Sequence, residues 1–166
     1  MRLGLFYGST TGNTEHVAHM IKSALGEDIA FMRNIVESTP ADFEQFDGLI
    51  LGASTWFGGQ LQDDWESFLP QLDKVDLSGK KVALFGLGDQ ATHGEEFVSG
   101  LKKLYNKVRE RGAHVIGLWP IEGYDYEESE AAVNGHFVGL ALDEDTQSDL
   151  TEGRVQQWVE QLRREW

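Results

Sequence analysis

"LGLFYGSTTGNTEHVAHMI", Leu3 to Ile21, is the stretch whose reading decides the fold. Leu3–Tyr7 is a short, near-continuous apolar run, as a strand covered on both faces requires. Further on, Val17, Met20, Ile21, Ala24 and Leu25 recur on one helical face. Between strand and helix stand Ser9, Thr10, Thr11, Gly12, Asn13 and Thr14, all hydroxyl, glycine or amide. A strand that turns directly into a helix N-terminus points unpaired backbone N–H groups and the positive end of the helix dipole into that turn. The hydroxyls add neutral donors, and Gly12 permits close backbone approach. Such a turn suits a phosphate monoester without any lysine or arginine. An ordinary strand-to-helix turn with a Ser/Thr cap is the plainer alternative.

The same alternation continues along the chain. "GLILGA" (48–53), "KVALFGL" (81–87) and "AHVIGLW" (113–119) read as further buried strands, with "DIAFMRN" (28–34) a weaker candidate. Phe97, Leu101, Leu104, Tyr105 and Val108 share one helical face, and Val155, Trp158, Val159 and Leu162 mark a last amphipathic helix. Strands alternating with helices across short connections imply an α/β, doubly wound parallel sheet with right-handed crossovers. Residues 120–150 break the rhythm and are expected to be an insertion interrupting the fifth strand, which "HFVGLAL" (136–142) resumes. At 166 residues and 40% hydrophobic, the chain is expected to form a single domain over 1–166.

Composition excludes several functions. With 28 acidic against 14 basic residues, nucleic acid and anionic membranes would repel the chain, and a basic protein partner is its complement. The absence of cysteine excludes disulfides, thiolate metal sites and cysteine-ligated clusters, so any redox chemistry needs an organic cofactor. The amino-terminal apolar run is too short for a signal-peptide core, no stretch approaches a membrane span, and a cytoplasmic protein is expected. The turn lacks the lysine of a nucleoside-triphosphate loop, the dinucleotide GxGxxG is missing, and no acidic pair closes strand one as a phosphorylated receiver domain would need. His16, His19, His114 and His136 have no ligand spacing in common with a carboxylate set.

Two more loops fall at the carboxyl edge of the sheet, where such folds bind ligands. They are "STWFGGQLQDDW" (54–65) and "GLGDQATHGEEF" (86–97). Trp56, Phe57 and His93 are planar side chains on these loops. Singly, each reads as a cap on the core; together, beside a phosphate turn, they read as walls for a flat ring.

"GSTTGNTE", "STWFGGQLQDDWE", "FGLGDQ" and "GHFVGLALDEDTQSDLT" together resemble the corresponding segments of long-chain flavodoxins, in collinear order over essentially the whole chain. The resemblance implies a five-stranded parallel sheet of order 2-1-3-4-5, its fifth strand split by an insertion, binding one FMN non-covalently. It assigns the phosphate to Ser9, Thr10, Thr11, Gly12, Asn13 and Thr14. The ring falls to Ser54, Thr55, Trp56, Phe57, Gly58 and Gly59 on one side and to Leu87, Gly88, Asp89, Gln90, His93 and Glu96 on the other, with Asp145 near the ribityl chain. No residue is implied as acid, base, nucleophile or metal ligand.

The function implied is a low-potential one-electron carrier shuttling between semiquinone and hydroquinone. Family members turn over one peptide beside the flavin N5, and the matching peptide is Phe57-Gly58. Asp63, Asp64, Glu66, Asp89, Glu95, Glu96 and the run Asp143-Glu144-Asp145 are expected around the ring. Each carboxylate at roughly 10 Å in an effective dielectric near 40 would oppose an added electron by about 0.8 kcal/mol. His93 departs from the family, which carries tyrosine there; a smaller ring implies weaker stacking, and an imidazole can take up a proton on reduction. Implied partners are a flavoprotein reductase of the ferredoxin-NADP reductase type and low-potential acceptors, met by a monomer through its acidic surface. Two rivals remain open: an FMN-dependent NAD(P)H quinone reductase of flavodoxin-like fold, and a non-redox module that binds a phosphorylated ligand.

Overall fold

A computed structural model describes residues 2–166. Its strands are β1 (Leu3–Tyr7), β2 (Ile29–Asn34), β3 (Gly48–Trp56), β4 (Gln60–Leu61), β5 (Lys81–Leu87), β6 (His114–Ile116), β7 (Trp119–Pro120), β8 (Ala132–Val133), β9 (His136–Phe137) and β10 (Leu140–Leu142). Its helices are α1 (Asn13–Leu25), α2 (Pro40–Phe43), α3 (Asp63–Phe68), α4 (Leu101–Glu110) and α5 (Ser148–Glu165). The main sheet runs β10-β5-β3-β1-β2, with β6 also pairing with β5 and β4 with β3. Every pairing along that path is parallel. Taking β6 and β10 as two halves of one interrupted strand, this is the expected order 2-1-3-4-5. Every residue of β1 is buried, as are all but the first of β5, so helices must cover both faces. Among the described residues no helix is long and apolar enough to cross a membrane.

The interruption of the fifth strand differs from its expected form. "HFVGLAL" does not resume the sheet as one piece: only Leu140–Leu142 pairs with β5, while His136–Phe137 pairs with β7 and β8 in a small antiparallel sheet. Phe137 is apolar for a local reason, since its ring packs edge-on against Phe97 and Tyr124 beneath the insertion. Likewise Phe97 precedes α4 and belongs to this aromatic cluster, so the helix begins later than its periodicity indicates. Tyr124 ties the insertion to the sheet by donating its hydroxyl to the carbonyl of Ala141 at 2.5 Å and accepting from Trp119 Nε1 at 2.8 Å.

Where the insertion rejoins the sheet, Gly139 passes so close to β5 that a Cβ there would lie 2.2 Å from the carbonyl oxygen of Leu84. Backbone cannot step aside as a side-chain tip can. Gly139→Ala is therefore expected to cost at least about 2 kcal/mol by forcing β10 away from its partner. A urea midpoint equal to that of the native chain would contradict this packing.

Candidate functional site

The phosphate-like turn keeps its donors free because of how it is built. Ser9 Oγ accepts the N–H of Gly12 at 3.1 Å and, more weakly, that of Glu15 at 3.4 Å, which curls the backbone. Gly12 is the N-cap of α1 and supplies no side-chain oxygen to it. Among the described residues nothing accepts the backbone N–H of Thr10, Thr11, Asn13 or Thr14. Ser9 thus caps the first turn of α1 as the plainer reading has it, and the remaining N–H groups of the turn stay available to a ligand.

Behind the turn sits Gln62, 1% exposed and not anticipated from the sequence. Its Nε2 donates to Thr10 Oγ1 at 3.1 Å and to Asp64 at 2.8 Å, while its Oε1 accepts from the Trp65 backbone N–H. Gly8 leaves room for this amide, because a Cβ there would lie 2.2 Å from Gln62 Oε1. A buried glutamine gives no periodic signal in the sequence.

Thr10, Thr11, Asn13 and Thr14 open into a cavity of about 420 Å³ at the carboxyl edge of the sheet. Ser54, Thr55, Trp56 and Phe57 form one wall, and Leu87, Gly88, Asp89 and His93 another. Asp145 completes the rim together with Glu144, its neighbour in the acidic run. No lysine or arginine lines this cavity among the described residues. Trp56 ends β3 and is held by pairing with Gln60 of β4. Phe57 stands 82% exposed at the tip, its ring edge-on to His93 with centroids 6.4 Å apart.

The remaining expected residues lie elsewhere. Ser9 and Gly12 shape the turn without lining the cavity. Gly58, Gly59 and Glu96 face a separate groove of about 470 Å³ on the far side of the 57–59 turn. Gln90 is buried: its side chain donates to Asp143 at 2.9 Å and to Thr146 at 3.3 Å, and accepts from the Asp125 backbone N–H. It is a strut between loops rather than a wall, because its amide spends both ends on protein partners. The acidic ring is also narrower than expected. Asp143 is fully buried, and Glu66 is bound to Lys103 at 2.8 Å.

Electrostatics follow from this placement. Burial, then the charges of Asp89, Asp143 and Glu144, hold the Asp145 carboxyl above its ordinary value, with His93 opposing. For Asp143 burial pushes upward too, yet hydrogen bonds from Thr146 and Gln90 outweigh it and keep the carboxyl low. The rim is thus a fixed negative field open to solvent on one side.

Comparison with known proteins comes to the same architecture. A family model described as Flavodoxin matches residues 5–158. The chain is 47% identical over 163 residues to a flavodoxin of Synechocystis sp., covering 98% of this chain and 96% of that one. It is 47% identical to flavodoxin 1 of Escherichia coli K12, covering 98% and 93%. Among solved structures, a Fusobacterium nucleatum flavodoxin bound to flavin mononucleotide superposes with a TM-score of 0.94 at 36% identity, covering 99% of this chain and 98% of that one.

Proposed function

Because this chain belongs to the flavodoxin family, we propose that it holds one FMN non-covalently in the 420 Å³ cavity and passes electrons singly from a reductase to low-potential acceptors. The observation that carries this reading is the donor set of the 10–14 turn. Its free N–H groups and hydroxyls, at a helix N-terminus with no cation beside them, match a phosphate monoester. A nucleoside triphosphate would demand a cation that the turn does not offer.

The residues present fit the rest of the group. Trp56, Phe57 and His93 provide flat surfaces at the mouth, and the 87–89 backbone and Asp89 provide polar edges. When bound, FMN supplies two successive one-electron steps, at potentials its surroundings set. The chain's share is electrostatic. Asp89, Glu144 and Asp145 oppose the arrival of further negative charge. A strongly reducing carrier follows. No side chain of the site needs to act as acid, base or nucleophile.

The exposed tip of Phe57 gives a partner an apolar point of approach within an acidic surface. A flavoprotein reductase of the ferredoxin-NADP reductase type is the donor this surface suits, through short-lived, salt-sensitive encounters in which the chain acts as a cytoplasmic monomer.

Anaerobic stepwise reduction of the purified protein, followed by its visible spectrum, tests the reading. A yellow protein that turns blue before it bleaches is expected. Direct bleaching with oxidation of added NADPH would put the quinone reductase in its place. A protein that stays colourless after FMN is added would leave only the phosphate-binding module.

A further inference from the structure

The Phe57–Gly58 peptide is held from outside the cavity. Gly58 N–H donates to Glu96 Oε1 at 2.9 Å, and the same carboxylate oxygen stands 3.7 Å from His93 Nδ1. The bond bridges two loops. The 57–59 turn follows β3 and the 94–96 turn follows β5, and they touch again where Gly59 would bring a Cβ to 3.8 Å from that of Glu96. Gly58 adopts φ 75°, ψ 17°, a region that glycine enters freely and other residues enter at a cost. The peptide is trans, so its carbonyl points opposite to its N–H and therefore away from Glu96. Glu96 itself is outside the cavity wall, with its side chain 23% exposed in the neighbouring groove.

We propose that Glu96 is a positioning residue whose carboxylate latches the Phe57–Gly58 peptide in one orientation, and that protonation of His93 loosens the latch by competing for the same oxygen. The inference rests on the FMN reading above for its effect on potentials, but not for the latch itself. A neutral imidazole leaves Glu96 Oε1 to Gly58 N–H. A charged imidazole draws the negative charge of that oxygen toward itself, so the Gly58 N–H hydrogen bond weakens when His93 is protonated. The groups brought toward His93 by the surrounding elements are carboxylates. Asp89, Glu95 and Glu96 lie on its own loop, Glu144 and Asp145 across the cavity, and Glu127 and Glu128 on the insertion, where both N–H groups bind the Gly94 carbonyl. Of these, Glu96 is the carboxylate that pairs with the imidazole within 4.0 Å.

The test uses the full-length, ¹⁵N-labelled protein with FMN added, in the native form and as Glu96→Gln, Glu96→Asp and His93→Gln. The Gly58 amide signal is followed from pH 5.5 to 8.5, and the two one-electron midpoints are measured on the same samples. In the native chain the signal should move through one titration. His93→Gln should keep it at its alkaline position at every pH, and Glu96→Gln should displace it and abolish the dependence. Releasing the peptide should narrow the separation of the midpoints by at least tenfold in the equilibrium constant, about 59 mV for a one-electron couple. Glu96→Asp keeps the charge but shortens the reach, so narrowing in both Glu96 variants supports the latch, whereas narrowing confined to Glu96→Gln would trace to charge alone and overturn it. A Gly58 signal that ignores Glu96→Gln would overturn it as well. A colourless sample would instead remove the FMN reading, while the Gly58 titration still judges the latch.

Discussion

Asp143→Ala is expected to destabilise the protein by about 3 kcal/mol, because it leaves two buried Gln90 donors without an acceptor at roughly 1–3 kcal/mol each and frees three part-buried donors of Asp145 and Thr146. Asp143 is fully buried just beyond β10. Its Oδ1 accepts the backbone N–H groups of Asp145 and Thr146 at 3.0 and 2.9 Å. Its Oδ2 accepts Gln90 N–H at 3.0 Å, Gln90 Nε2 at 2.9 Å and the Thr146 hydroxyl at 2.5 Å. One carboxylate thus joins the loop after β5 to the loop before α5, and through Gln90 it reaches the insertion at Asp125. Urea denaturation should show a lower midpoint with the slope unchanged; equal midpoints would refute the hub. Asp143→Asn tests the charge separately, since its amide places a donor against other donors.

The same residue predicts a pH dependence. Its carboxyl is held below the ordinary value in the folded chain, so its contribution is complete above the unfolded carboxyl range, near pH 4, and is lost as pH falls through the lower folded value. Stability of the native protein should therefore fall more steeply below about pH 4 than that of Asp143→Asn. Parallel profiles for the two would show that the ionised carboxylate does not contribute.

Trp56→Ala is expected to weaken FMN binding by roughly 10- to 100-fold, about 1.4–2.8 kcal/mol. One indole face covering about 100 Å² of a flat ring contributes about 2.5 kcal/mol at 25 cal/mol per Å². Trp56 is 40% exposed, so its removal leaves the fold nearly intact, and the loss should appear in affinity rather than in unfolding. Titrating the FMN-free variant and following quenching of flavin fluorescence measures it. Trp56→Phe should recover most of the affinity, and an unchanged dissociation constant for Trp56→Ala would show that the ring does not rest on this wall.

Much of this protein was legible in its residues one after another. Continuous apolar runs and period-3.6 patterns are local, so β1, β3, β5, α1 and α5 could be read from them, and the parallel arrangement follows from strands alternating with helices. The donor-rich Ser9–Thr14 turn could be read for the same reason: strand end, donors and helix start are contiguous. The tertiary structure decided what depends on residues far apart meeting. It sent Phe97 and Phe137 to the aromatic cluster beneath the insertion rather than to α4 and the main sheet, because an apolar side chain carries no mark of which part of the core it fills. It made Gln90 a strut and Asp143 a hub, roles invisible in sequence because hydrogen-bond partners 53 residues apart leave no local pattern. It also set Glu96 against Gly58 across 38 residues, since only the parallel pairing of β3 and β5 carries those two loops to the same edge.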